Sequence, residues 1–261
     1  MSLSNTTVRF IPGEATSADE LAIAALHLHT YTMAADLLRP GDRVLDVGFG
    51  EGYGAEILRG AGADYSGVEV DARMVEHARE SYGPHFDAYD GSTILAGDGS
   101  FDLVLVLEVI ALLQEPPVLL REVRRVLKDD GQAIVTTPNR IYRLADGQRP
   151  WNRHHYREYT ADQLRQELEA VFSDVRILGI FASEPIDSLV KARGARARRL
   201  ARLDPLGLHH RLPDSLNARM RRVLRRTAQA RVDPAEFTLD RVWQTEDRAD
   251  LGLDLLAFVR R

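Results

Sequence analysis

Three acidic side chains, each at the end of an apolar run, are placed to grip a small organic ligand: Asp46, Glu69 and Asp90. Asp46 comes just before Gly48-Phe49-Gly50-Glu51-Gly52-Tyr53-Gly54. The glycines at 48, 50 and 52 permit torsions and a close approach of backbone to ligand that a Cβ would block. A carboxylate beside such a turn repels phosphate oxygens and suits a positive amino group, so Asp46 favours a sulfonium nucleoside over a dinucleotide. Glu69, followed by Val70, lies where an acidic side chain can accept both hydroxyls of a ribose. At Asp90-Gly91 a carboxylate or a backbone amide can meet the amino group of a purine. Further along, Trp151 to Thr160 packs His154, His155, Arg157 and Glu158 together. Histidine is the side chain best tuned to take a proton near neutrality, and His155 ranks first among them. The same stretch also reads as a polar brace that caps the next helix.

Bringing these groups to one edge requires a parallel sheet, and strand-like and helix-like segments alternate along the chain. Arg43 to Val47, Tyr65 to Val70, His85 to Tyr89, Asp102 to Leu107 and Gln132 to Thr137 read as strands. Asp174 to Phe181 is a sixth and Leu253 to Val259 a seventh. Leu119, Val123, Val126 and Leu127 recur at helical spacing and stop at Asp129-Asp130-Gly131. Thr160 with Gln163 forms a capping box ahead of Leu164, Leu168 and Val171. Asp71 reads as the N-cap of a helix carrying Met74, Val75 and Ala78. An earlier helix carries Leu21, Ala25 and Leu28 on one face, with His27, His29, Thr30 and Tyr31 along it. The expected division is an N-terminal helical segment over 1–40, a Rossmann-like α/β domain over 41–183 plus 251–261, and a helical insertion over 184–250.

Composition narrows the functional classes. The 261 residues are 44% apolar and 28% charged, enough for a sizeable core. Zero Cys excludes disulfides, thiolate zinc sites, iron–sulfur clusters and cysteine nucleophiles, and fits a reducing compartment. The first thirty residues hold acids before any apolar run, unlike a secretory signal. Phe101 to Leu113 is the most apolar stretch, yet it contains Asp102 and Glu108 and falls short of the roughly 20 residues that span a bilayer. A soluble, cytoplasmic protein is expected.

The net charge of −5 argues against a general nucleic-acid binder. It hides a local excess: Lys191 to Arg231 holds thirteen Lys/Arg against Asp204 and Asp214. Asp214 can cap a helix whose apolar stripe is Leu216, Met220, Val223 and Leu224, with Arg219, Arg221, Arg222, Arg225 and Arg226 around it. Three readings of this segment stay open: a lid holding a phosphate-bearing small molecule, an element in peripheral contact with anionic lipid, and a solvated face packed on the core.

Val44-Leu45-Asp46-Val47 with its glycine turn, Gly67-Val68-Glu69, Asp98 to Val104, Arg125 to Gly131 and Thr136-Thr137-Pro138-Asn139 together resemble the class I S-adenosylmethionine-dependent methyltransferases, over residues 40 to 183. The resemblance implies a seven-stranded sheet in the order 3-2-1-4-5-7-6 with only the seventh strand antiparallel. It implies S-adenosylmethionine as donor and S-adenosylhomocysteine as product. Gly48, Gly50 and Gly52 would lie against the cofactor, Glu69 and Val70 at its ribose, and Asp90 and Gly91 near adenine. Glu108 and Val109 would flank the methionine part, and Tyr31, on an element folding over the cofactor, would reach its carboxylate. The chain departs from the pattern at Phe49, where many relatives carry Cys, and at Ala111-Leu112-Leu113, where many carry Glu-His-Val. A mechanism leaning on that histidine does not apply here.

Asn152-x-x-His155-x-Arg157-Glu158-Tyr159-Thr160 is similar to a pattern in methyltransferases found alongside glycan-assembly enzymes. Transfer from a sulfonium is an in-line displacement that requires no metal and gains mainly from alignment in a desolvated site. An alcohol acceptor benefits further from a base. The reading is O-methylation of a small-molecule acceptor, sugar-linked or otherwise hydroxylated, with an anionic acceptor suggested by the basic segment. N- or C-methylation of a small molecule and a catalytically silent cofactor-binding protein are the alternatives. An RNA substrate is favoured by the arginine cluster alone.

Overall fold

A computed structural model describes residue 15, residues 17–204 and residues 233–261. The helix expected from Asp214 lies outside the described residues. The strands are β1 (Arg43–Val47), β2 (Asp64–Glu69), β3 (Phe86–Ala88), β4 (Phe101–Leu107), β5 (Leu127–Pro138), β6 (Asp174–Ala182), β7 (Val242–Thr245) and β8 (Asp254–Arg260). The helices are α1 (Ala18–Asp36), α2 (Gly54–Gly60), α3 (Ala72–Tyr82), α4 (Pro116–Val126), α5 (Arg140–Arg143), α6 (Ala161–Glu169) and α7 (Ile186–Leu203).

The strands form one sheet in the order β3-β2-β1-β4-β5-β8-β6-β7. The β3–β2, β2–β1, β1–β4 and β4–β5 pairs are parallel, and β8 runs antiparallel between β5 and β6. The order expected from sequence therefore stands, with one addition: β7, antiparallel to β6, makes an eighth strand on the edge. It corrects the wholly helical reading of 184–250. Four residues with only Val242 buried are too short to show strand alternation.

Both faces of the sheet are covered. Leu103 and Leu105 point into one apolar cluster with Leu26 and Ile134, while Val104 and Val106 point into the other with Leu119 and Val135. That two-sided burial explains why β4 reads as a continuous apolar run. Two further details differ from the sequence reading. Helix α4 ends at Val126, and Leu127 begins β5, where it pairs with Phe101 ahead of a register shift. Helix α1 buries Ala22, Ala25, Leu26, Tyr31 and Ala34, so its inner face is rotated away from Leu21 and Leu28, which are half-buried. The expected caps form: Asp71 accepts from Arg73 N, and Thr160 and Gln163 cap each other's amides. Helix α7 packs against α1 and α5. Among the described residues, no helix is long and apolar enough to cross a membrane.

Candidate active site

The carboxyl ends of the parallel strands open onto a cavity of about 220 Å³, roofed by α1. In α/β sheets ligands bind there because loops diverge where the strand order reverses, here between β1 and β4. The glycine turn after β1 forms one wall. Gly50 has φ +61 and nothing within 4 Å of a notional Cβ, so its open side faces the cavity. Gly52, with φ +84, is packed instead against Ala78, which a Cβ would meet at 2.8 Å.

Glu69 closes the end of β2. Its Oε1 accepts from Val70 N at 2.7 Å and Asp71 N at 3.2 Å, and its Oε2 accepts from Gly50 N at 3.2 Å. Burial raises its pKa, and the three amides counter part of that rise. The carboxylate is thereby held toward the cavity, where its remaining lone pairs can receive ribose hydroxyls.

Asp46 sits one layer deeper, 1% exposed. Its Oδ2 accepts from the Tyr31 hydroxyl at 2.9 Å and the Tyr65 hydroxyl at 3.3 Å, while Oδ1 has no hydrogen-bond partner. Burial pushes its pKa up to about 7 against the pull of the two hydroxyls. A buried acid with an unused acceptor oxygen fits an amino group arriving from the cavity. The hydroxyl of Tyr31, expected at a ligand carboxylate, is donated to Asp46.

At the opposite end stand Glu108 and Asp254. Glu108 follows β4 with φ +61, a left-handed conformation uncommon for a residue with a side chain. Thr136 fixes it twice: Thr136 Oγ1 donates to Glu108 Oε1 at 3.0 Å, and the Glu108 N–H meets Thr136 O and Oγ1 at 3.2 and 3.1 Å. Asp254 opens β8 opposite Pro138. Because β8 is antiparallel, its first residue lies at the edge where the parallel strands end.

Of the residues expected from sequence, Tyr31, Gly48, Gly50, Glu69, Val70, Gly91, Glu108 and Val109 line this one cavity. Asp46 and Gly52 stand behind its wall. Asp90 spends its Oδ1 on Ser92 N, Ser92 Oγ and Thr93 N, shaping a turn from which only neighbouring Gly91 reaches the lining. His154, His155, Arg157 and Glu158 are outside the lining. Their loop is tied to the β4 exit by Tyr156 N donating to Ala111 O at 2.9 Å. Glu158 is buried and accepts from Arg143 Nε at 2.9 Å, with His155 Nδ1 at 3.1 Å from the same oxygen. Burial lowers the His155 pKa more than Glu158 raises it. Burial raises that of Glu158, but its two partners bring it below the ordinary carboxylate value. Arg157 reaches outward to Glu167 at 3.1 Å, and His154 N donates to Asn152 Oδ1 at 3.2 Å.

Sequence reading missed His27, Tyr53, Thr136 and Asp254. His27 Nδ1 lies 3.1 Å from the Tyr53 hydroxyl, and burial, helped by the charge of Arg193, lowers its pKa to about 4, leaving a neutral imidazole in the wall. A charged residue opening a final apolar strand was the available signal for Asp254.

The profile of the family described as "Methyltransferase domain" matches residues 21–171. A probable S-adenosylmethionine-dependent methyltransferase of Mycobacterium tuberculosis strain H37Rv is 36% identical over 141 residues, 53% of this chain and 51% of the relative. A ubiquinone biosynthesis O-methyltransferase of Thiobacillus denitrificans is 30% identical over 106 residues, 38% of this chain and 46% of the relative. The chain thus spans about half the length of these curated relatives. In fold it is similar to an S-adenosylmethionine-dependent methyltransferase of Thermotoga maritima, described as a possible histamine N-methyltransferase. That match has a TM-score of 0.55 and 17% identity, and it covers 92% of this chain and 91% of the other. The family model spans more than half of the chain, and the chain belongs to the class I S-adenosylmethionine-dependent methyltransferase family.

Proposed function

We propose that the protein transfers a methyl group to an oxygen of a small hydroxylated acceptor, a sugar or similar metabolite, in the cytoplasm. The observation that carries this reading is the acceptor end of the cavity. Two carboxyls, Glu108 and Asp254, line the cavity together with the apolar side chains of Leu107, Leu112, Leu113 and Ile180. Hydroxyl groups are the natural partners of acceptor oxygens in an apolar recess. S-adenosylmethionine supplies an electrophilic methyl group on a sulfonium. The chain's part is to align, desolvate and handle the acceptor proton. A relative described as an O-methyltransferase supports oxygen as the target.

An anionic acceptor draws support from the Lys191 to Arg231 segment. Among the described residues, the cavity lining holds no Lys or Arg. A screen of glycosides, phenols, sugar phosphates and amines, read by S-adenosylhomocysteine formation and product mass, tests the proposal. O-methyl products from glycosides or phenols are expected. Turnover with amines alone, or donor binding without turnover on any class, would overturn it.

A further inference from the structure

The Glu108–Asp254 pair lines the cavity, and it has a use beyond hydrogen bonding. Asp254 is buried and Glu108 half-buried, on either side of the β5 terminus: Glu108 is bonded to Thr136, and Asp254 lies opposite Pro138. The charged and titratable groups that face them come from four directions. Arg143 of α5 and Glu158 of the loop before α6 act on Glu108, Arg143 and Arg193 of α7 act on Asp254, and Tyr53 of the glycine turn lies within the field of Glu108. Arg143 is already engaged by Glu158 at 2.9 Å. Desolvation, with Asp254 adding its charge, pushes Glu108 well up from the ordinary carboxylate range, and desolvation raises Asp254 too.

We propose that Glu108 is the catalytic base for the acceptor hydroxyl, and that its carboxyl yields its proton to solvent when a sulfonium enters the same cavity. A fixed positive charge in a water-poor recess favours the ionised form of an acid beside it. The base is thus made ready by the charge that the reaction will consume. In the transfer, the hydroxyl proton passes to a Glu108 carboxylate oxygen as the acceptor oxygen bonds to the methyl carbon. The carbon–sulfur bond breaks and its electron pair stays on sulfur. The sulfonium charge and the Glu108 carboxylate charge vanish together, leaving a neutral thioether, a methyl ether and a protonated Glu108. Thr136, buried and bonded to both the backbone and the carboxyl of Glu108, is the positioning residue. This assignment rests on the O-methylation reading only for the identity of the proton given up.

Proton release is measurable without any acceptor. Titration calorimetry of the full chain with S-adenosylmethionine and with S-adenosylhomocysteine, each in phosphate and in Tris at neutral pH, gives the protons exchanged on binding. The sulfonium ligand should release more protons than the thioether, by a difference approaching about one, and Glu108→Gln should abolish that difference while both ligands still bind. In Asp254→Asn the difference should shrink, because Glu108 loses a repelling neighbour and is already ionised. Equal release by the two ligands in the wild type, or a difference that survives Glu108→Gln, would overturn the proposal. If the difference holds and the acceptor screen yields only N-methyl products, the base assignment to a hydroxyl falls with the O-methylation reading, and the charge linkage stands by itself.

Discussion

The Tyr31 hydroxyl donates to Asp46 Oδ2 at 2.9 Å, which ties the roof helix α1 to the end of β1 through a single buried bond. The other Asp46 oxygen is left without a partner. Donor binding should therefore follow the ionisation of Asp46. A cationic amino group selects the carboxylate, and burial raises that carboxyl to about 7. Protons compete below this value, so affinity for S-adenosylhomocysteine should rise with pH between 6 and 8. In Asp46→Asn the affinity should fall by about tenfold or more and lose most of that slope. Calorimetric titration at several pH values measures both.

Two glycine substitutions separate shape from stability. Gly50→Ala places a Cβ on the open cavity side at φ +61, so it should cost about 1 kcal/mol of stability but a much larger fraction of donor affinity. Gly52→Ala meets Ala78 at 2.8 Å and should cost about 1–3 kcal/mol, lowering Tm before it touches binding. Thermal melts with and without S-adenosylhomocysteine distinguish the two patterns.

Glu69→Gln should weaken S-adenosylhomocysteine by about tenfold or more. The amide presents its NH₂ either to the N–H groups of Val70 and Asp71 or to that of Gly50, where Glu69 now accepts. Competition binding reads the loss, and a donor analogue lacking ribose hydroxyls should show a smaller difference between variant and wild type.

The Arg143–Glu158–His155 cluster should act mainly on stability. Glu158→Gln leaves the Arg143 charge without its buried partner, at a cost of about 2 kcal/mol at neutral pH. Glu158 has a depressed pKa in the folded state, so its stabilisation is present above the unfolded carboxylate value and disappears as pH falls through the folded one. The gap in Tm between wild type and variant should therefore narrow in acid. His155→Ala should slow turnover less than Glu108→Gln does, because Glu108 lines the cavity whereas His155 and its partner Glu158 stand outside the lining.

Much of this was legible in the residues. The strands β1, β2 and β4 could be read from their own residues, whereas their order, which sets Val44 beside Leu103, came from the family resemblance and not from local pattern. The edge strand β7 could not be read, because its four residues, of which only Val242 is buried, leave no periodicity. His155 looked catalytic because residue type and loop position agreed. What sequence did not carry was direction: Tyr156 bonds to Ala111 and Glu158 to Arg143 and His155, which leaves the histidine outside the cavity lining. Asp254 escaped although the reversed last strand was expected, because an acid opening an apolar strand carries no sign of the cavity that its reversed direction brings it to.

That reversal also governs when the molecule becomes competent during synthesis. Every other residue lining the cavity precedes Asp254 in the chain, and residues 254–260 insert as the seam between β5 and β6. A nascent polypeptide on the ribosome can assemble the nucleoside half of its pocket early. The end that carries Asp254 waits until β8 has cleared the exit tunnel, so chains arrested before it should retain donor at most and never turn over.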